Sequence, residues 1–243
     1  MPSIEIKNED CFVFLKDIKD SSVDFACIDP PYEISRETNF LNSDEKGDDT
    51  DRFRMSMDFG DWDKDFSGLD GVIKEIYRVL KPGGSLVCFY DIWKISYLKE
   101  YIEKAGFKQI RFVEWVKTNP VPINSKITYL SNAREVAVSA VKGGNSTFNS
   151  EYDDGIYSFP ICHDKGRFHP TQKPVDLIRA MIRKHSNEGD LVLDCFSGSG
   201  TTAVACYCEN RNFIGCEISK EYYDKSIDRM WDLGIYTDKV KLF

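Results

Sequence analysis

The chain has 243 residues, of which 42% are hydrophobic and 30% charged, ordinary values for a globular protein that can bury a full core. A formal net charge of −8 weighs against a broadly basic nucleic-acid binder, because phosphate contacts need lysine and arginine, but it leaves room for a local basic groove. The eight cysteines stand mostly in apolar runs such as Phe25-Ala26-Cys27-Ile28, and Cys206 and Cys208 have no second pair to answer them, so no metal is expected; no signal peptide and no membrane-length apolar run is seen, which makes a reducing cytoplasm the expected compartment.

In chain order, Ile4-Glu5-Ile6-Lys7 alternates like a strand, 11–18 forms a short amphipathic helix, and 23–28 is a buried strand stopped by Pro30-Pro31. Residues 33–68 are polar and include Asp48-Asp49-Thr50-Asp51; they read as a long mobile loop, a kind usually functional or disordered. Val72, Ile73, Ile76, Val79 and Leu80 mark a helix over 69–80, ended by Lys81-Pro82-Gly83-Gly84. A strand over 85–90 and a helix over 92–105, stopped by Gly106, follow. Residues 109–118 and 135–141 read as two strands, candidates for antiparallel pairing, and 142–166 as an irregular stretch. Then come a helix over 175–185 with Pro174 at its first turn, a strand over 191–196, a helix over 200–209, a strand over 212–217, a helix over 220–233 and a candidate last strand over 240–243. This alternation predicts a doubly wound, mostly parallel α/β sheet with helices on both faces.

Two places carry chemistry. The run Asp194-Cys195-Phe196-Ser197-Gly198-Ser199-Gly200-Thr201-Thr202 leaves a strand and enters a helix, and its glycines let the backbone approach a ligand closely. The next strand ends at Glu217, an acid placed to bind a ribose diol, at the spacing of a nucleoside-binding unit. Gly198, Gly200 and Ala203 also fit the dinucleotide pattern G-x-G-x-x-A, so a nicotinamide or flavin site stays open on this stretch alone, although such a unit usually opens a chain.

The second place is Asp29-Pro30-Pro31-Tyr32, at the carboxyl end of a strand, where open sheets bind ligands. The prolines fix the backbone, so the Asp29 carboxylate and the Pro30 carbonyl can point at one spot. An aromatic amine is a poor nucleophile because its lone pair is delocalised; two acceptors binding both N–H hydrogens favour a pyramidal nitrogen with a localised pair. Asp29 can also take up the proton lost after transfer, and Tyr32 can stack on a base drawn out of a duplex.

Asp-Pro-Pro-Tyr followed far downstream by Phe196-x-Gly198-x-Gly200-Thr201-Thr202 closely resembles the DNA amino-methyltransferases, in the motif order of their permuted beta group. Arg78-Val79-Leu80-Lys81-Pro82-Gly83-Gly84, Trp115-Val116-Lys117-Thr118-Asn119-Pro120 and His169-Pro170-Thr171-Gln172-Lys173-Pro174 match further family segments, so the resemblance covers most of the chain. It implies S-adenosylmethionine as cofactor, double-stranded DNA as partner, a bacterial or phage origin, and a single domain over 1–243 with a seven-stranded Rossmann-like sheet. A small recognition lobe is expected over 121–168, where Lys126, Arg134, Lys142, Lys165 and Arg167 with Asn124, Asn145 and Asn149 are candidate DNA contacts.

By resemblance, Asp29, Pro30 and Tyr32 are catalytic, and Tyr32, Trp115 and Lys117 form the base pocket. Asp10 contacts the cofactor's adenine with Cys11 beside it, although Glu9 stands where the family usually has glycine. Thr171 and Lys173 approach the methionine carboxylate, and Asp29, Asp194, Phe196, Gly198, Ser199, Gly200, Thr201, Thr202 and Glu217 complete the cofactor site. Asp rather than Ser at position 29 favours N6 of adenine over N4 of cytosine. The Pro-Cys signature of C5-cytosine methylation is absent, a catalytically silent DNA-binding protein of the same fold is the reading from another class, and a homodimer is compatible with the sequence, which does not fix the oligomeric state.

Overall fold

The computed structural model describes residues 1–32, 68–120, 130–162, 168–169 and 171–237. Along them run β1 (Ile4–Asn8), α1 (Cys11–Asp17), β2 (Val23–Ile28), α2 (Leu69–Val79), β3 (Leu80–Tyr90), α3 (Ile95–Ala105), β4 (Lys108–Lys117), β5 (Arg134–Val141), β6 (Ile156–Phe159), α4 (Val175–His185), β7 (Leu191–Asp194), α5 (Thr201–Cys208), β8 (Asn212–Glu217) and α6 (Lys220–Asp232). Among the described residues no helix is long and apolar enough to cross a membrane.

The strands form one sheet in the order β1-β8-β7-β2-β3-β5-β4-β6. Only the two pairings of β5, with β3 and with β4, are antiparallel. Alternate residues of β2 serve opposite faces: Phe25 and Cys27 join the core under α4, α5 and α6, while Ala26 and Ile28 join the core under α1, α2 and α3. Burial on both faces is why β2 reads as a continuous apolar run rather than an alternating one. Each large side chain so buried contributes about 1.5–3 kcal/mol relative to exposure.

The chain winds outward from β2 through β3 on one side and from β7 through β8 on the other. The reversal of strand order therefore lies between β2 and β7, which are hydrogen-bonded neighbours. Ligands of open α/β sheets bind at that switch, beyond the carboxyl ends of the strands. Asp29 follows β2, Asp194 ends β7 and Glu217 ends β8, so the three acids stand side by side at this edge.

Over the described residues the sheet has eight strands, not the seven expected. The extra one is β6, inside the stretch expected to be irregular; it pairs in parallel with β4 from Glu114↔Ile156 to Lys117↔Phe159. It is four residues long and only Tyr157 is buried on it, too little apolar periodicity to mark a strand. The Pro82-Gly83-Gly84 run does not end the helix as a turn but lies inside β3, where the register against β2 shifts and Gly83 N–H donates to the Lys142 carbonyl at 2.7 Å. α3 begins at Ile95 rather than 92, after a turn in which Trp93 N–H donates to Asp91 Oδ1 at 2.7 Å. The expected strand over 240–243, the loop over 33–67 and residues 121–129, 163–167 and 170 lie outside the described residues.

Candidate active site

A cavity of about 490 Å³ opens at the switch between β2 and β7. That is large enough for a nucleoside-sized ligand. Its floor is the glycine-rich turn between β7 and α5. Asp194 closes this turn on itself: its carboxylate accepts from the Phe196 amide at 3.0 Å and from the Thr202 hydroxyl at 2.7 Å. Burial pushes the Asp194 carboxyl up to about 7, against the pull of those two donors. Gly198 adopts φ +49°, a left-handed conformation that favours glycine, and its amide donates to Glu217 Oε2 at 2.8 Å. The other Glu217 oxygen accepts from the Ser219 amide at 2.8 Å, and burial raises this carboxyl also. Gly200 likewise has φ +71°, but an added Cβ there would stand 2.8 Å from Met230 Cε; it packs against α6 and does not line the cavity.

On the β1 side, Asp10 caps α1 by accepting from the Phe12 amide at 2.9 Å and the Val13 amide at 3.3 Å, and it also lines the cavity. Burial, reinforced by Asp10, pushes the Cys11 thiol up to about 12, so Cys11 is a neutral apolar wall. Thr171 lines the cavity with its hydroxyl 3.1 Å from His169 Nδ1, and the His169 ring meets Tyr222 edge-on at 4.4 Å.

Asp29 stands where the two halves meet. The Tyr32 hydroxyl donates to its Oδ1 at 2.7 Å, and the Lys173 ammonium donates to its Oδ2. Burial, then the Asp29 and Glu135 carboxylates, push the Tyr32 phenol well above its ordinary range, so the hydroxyl keeps its proton. The ring of Tyr32 packs edge-on against Tyr90 at 5.6 Å, and its carbonyl accepts from the Lys94 ammonium at 3.1 Å. Lys173 also pairs with Glu135 at 3.1 Å and lies over the Phe89 ring at 4.8 Å. Its ammonium is therefore committed to two carboxylates, where the sequence placed it near a ligand carboxylate.

Asp10, Cys11, Asp29, Pro30, Tyr32, Thr171, Lys173, Asp194, Phe196, Gly198, Ser199, Thr201, Thr202 and Glu217 all line the one cavity. Trp115 and Lys117 do not. Trp115 is 2% exposed, and its indole N–H donates to the Phe159 carbonyl at 2.9 Å, tying β4 to β6. Lys117 lies 5.3 Å from the Trp115 ring and pairs with Glu135 at 2.8 Å. Three of the candidate DNA contacts also have partners within the fold. The Lys142 ammonium donates to the Arg78 and Leu80 carbonyls, and the Asn149 amide donates to the Arg183 and Ser186 carbonyls at the end of α4. Arg134 pairs with Glu114 at 3.1 Å; Asn124, Lys126, Lys165 and Arg167 lie outside the described residues.

Sequence reasoning missed Glu135, Phe89, Gln172 and Tyr222. Glu135 had a signal: a carboxylate opening the buried run Val136-Ala137-Val138 needs a cationic partner. Three buried oxygens on the cavity wall, Glu9 Oε2, Gln172 Oε1 and Ser197 Oγ, have no hydrogen-bond partner among the described residues. A wall of carboxylates from Glu9, Asp10, Asp194 and Glu217 with these orphaned atoms suits a ligand that is cationic and rich in hydroxyl and amine donors, and S-adenosylmethionine is such a ligand.

A family model described as DNA methylase matches residues 23–228. The chain belongs to that family. This DNA methyltransferase is 32% identical over 257 residues to the Type II methyltransferase M.HinfI of Haemophilus influenzae, spanning 96% of this chain and 70% of that one. It is 32% identical over 236 residues to the Type II methyltransferase M2.DpnII of Streptococcus pneumoniae, spanning 88% and 85%. Its fold superposes on the crystal structure of the M1.HpyAVI–SAM complex with TM-score 0.69 at 32% identity, over 93% of this chain and 99% of that one. It shares its fold, at 18% identity and TM-score 0.71, with the cytosine-N4-specific PvuII DNA methyltransferase, over 99% and 89% of the two chains. It is thus an amino-methyltransferase of the permuted beta class, with S-adenosylmethionine as cofactor.

Proposed function

We propose that this DNA methyltransferase methylates N6 of adenine in duplex DNA at a short defined site, with Asp29, Pro30 and Tyr32 handling the target amine. What supports the reading is the position of Asp29: a carboxylate, not a serine hydroxyl, stands at the strand-order switch in the same cavity as Asp194 and Glu217. When bound, S-adenosylmethionine supplies an electrophilic methyl group on a sulfonium.

The protein's own work is binding, orientation and proton handling. Glu217 takes the ribose hydroxyls, Asp10 the adenine, and Thr171 the amino-acid end. Asp29 and the Pro30 carbonyl each accept one N–H of the target amine, which localises the nitrogen lone pair. As the new N–C bond forms and the methyl carbon's bond to the sulfonium sulfur breaks, leaving a neutral thioether, the nitrogen releases one proton, which Asp29 accepts and passes to water. Tyr32 flanks a base taken out of the helix, a step that costs a few kcal/mol and is offset by stacking in the pocket. Trp115 and Lys117 have no direct part in that pocket.

The test is nucleoside mass spectrometry of duplex DNA after reaction with methyl-labelled cofactor. Label in N6-methyladenine is the expected result. Label in N4-methylcytosine overturns the adenine assignment and keeps the chemistry. Label in no DNA nucleoside overturns the whole reading.

A further inference from the structure

Lys117, Glu135, Lys173 and Asp29 form a line of alternating charges from the interior of the sheet into the cavity. Lys117 meets Glu135 at 2.8 Å, Glu135 meets Lys173 at 3.1 Å, and Lys173 meets Asp29. Glu135 sits near the start of β5, paired with Trp115 of β4 and next to Val136, where the pairing of β5 with β3 begins, so its backbone is anchored in the sheet. Asp29 sits just beyond the end of β2, outside the strand pairing.

Each Asp29 oxygen has a side-chain donor, Tyr32 on Oδ1 and Lys173 on Oδ2. Tyr32, packed edge-on against Tyr90 of β3, holds Oδ1. Lys173 holds Oδ2, provided it is itself fixed. Its side chain is 8% exposed, and a buried ammonium needs full pairing. An ammonium has three N–H donors. With Glu135 taking one and the Phe89 ring facing the group, Lys173 bonds Asp29 through Oδ2 and does not close over both Asp29 oxygens. That leaves Asp29 lone pairs for an incoming amine.

We propose that Glu135 is a positioning residue for methyl transfer, holding Asp29 in its reactive orientation through Lys173. The inference rests on the Asp29 role given above. The titration behaviour agrees with it. Burial works to lower the Lys173 pKa, but Asp29 and Glu135 outweigh it and hold the ammonium above the ordinary lysine range. Burial likewise works to raise the Glu135 pKa, but Lys173 and Lys117 outweigh it and hold the carboxyl below its ordinary range. The groups facing Lys173 are Asp29, Glu135, the Phe89 ring and the Cys27 thiol, which burial keeps neutral; Lys117 lies behind Glu135 and Asp194 is coupled to Asp29.

The experiment measures methyl transfer to long unmethylated duplex DNA from neutral to alkaline pH for wild type, Glu135→Gln, Glu135→Asp and Asp29→Ala, with melting temperature and cofactor affinity alongside. Glu135→Gln is expected to lower kcat about ten-fold or more, the effect of losing one charged hydrogen bond, with cofactor affinity and DNA KM little changed. Its alkaline limb moves to lower pH, because Lys173 loses one of the two carboxylates that keep it protonated. Glu135→Asp recovers part of both effects. A Glu135→Gln enzyme with wild-type kcat and limb overturns the proposal. So does a loss of kcat that tracks melting temperature and cofactor affinity with the limb unmoved, which is a structural role only. Turnover retained by Asp29→Ala sinks the Asp29 reading itself, whereas a dead Asp29→Ala beside a wild-type-like Glu135→Gln sinks this inference alone.

Discussion

Replacing Glu217 by alanine separates cofactor binding from chemistry. In the free protein its two oxygens accept from the Gly198 and Ser219 amides, each at 2.8 Å, so the carboxylate both anchors the glycine turn and faces the cavity. A hydrogen bond to a charged group contributes about 1.5–3 kcal/mol, so losing the ribose contact weakens cofactor binding roughly ten- to a hundred-fold. Loosening the turn adds to the loss, since Gly198 must hold a left-handed backbone to meet the ligand. Glu217→Gln keeps one acceptor oxygen but turns an NH₂ toward a backbone N–H, and is expected to fall between wild type and alanine. Isothermal calorimetry with S-adenosylmethionine reads the affinity, and steady-state assays should show the change in the cofactor KM with kcat at saturation little altered. Unchanged cofactor affinity in Glu217→Ala, or comparable binding of a nicotinamide dinucleotide by the wild type, would refute the assignment.

Two further substitutions probe the frame. His185 is buried at the end of α4, stacked on Phe25 at 5.1 Å with Nδ1 unpartnered among the described residues, and burial lowers its pKa from 6.5 to about 4. A depressed histidine pKa leaves stability intact above the unfolded value and removes it as pH falls from there toward the folded value, by up to about 3 kcal/mol. Chemical denaturation should therefore show wild type losing stability relative to His185→Phe between pH 6.5 and about 4; parallel curves would contradict the burial of a neutral imidazole. Trp115→Phe removes the donor to the Phe159 carbonyl and should lower stability by about 1–3 kcal/mol without changing which base is methylated. A change in base preference with stability intact would return Trp115 to the pocket.

Legibility followed how local each constraint is. Asp29-Pro30-Pro31-Tyr32 and the Gly198 turn were readable because prolines and left-handed glycines fix backbone geometry within a few residues, and the strand-order switch then brings them together. The antiparallel pair β4–β5 was readable from its two apolar runs. β6 was not, because a four-residue edge strand burying one side chain takes its existence from its partner. The Trp115 segment gave order along the chain but not direction: its indole turns toward β6, and Lys117 reaches the site only through Glu135 and Lys173. Lys142 and Asn149 looked like free polar side chains, yet distant carbonyls at Leu80 and Ser186 claim them, and nothing near them in sequence announces those partners.

The most direct measurement follows labelled methyl groups from S-adenosylmethionine into duplex DNA with wild type and Asp29→Ala in parallel, checking by calorimetry that both bind cofactor. Wild type should place the label in N6-methyladenine, while Asp29→Ala binds cofactor but transfers nothing. Transfer by Asp29→Ala at a rate near wild type, or label absent from DNA with the wild type, would contradict the central role of the carboxylate at the β2–β7 switch.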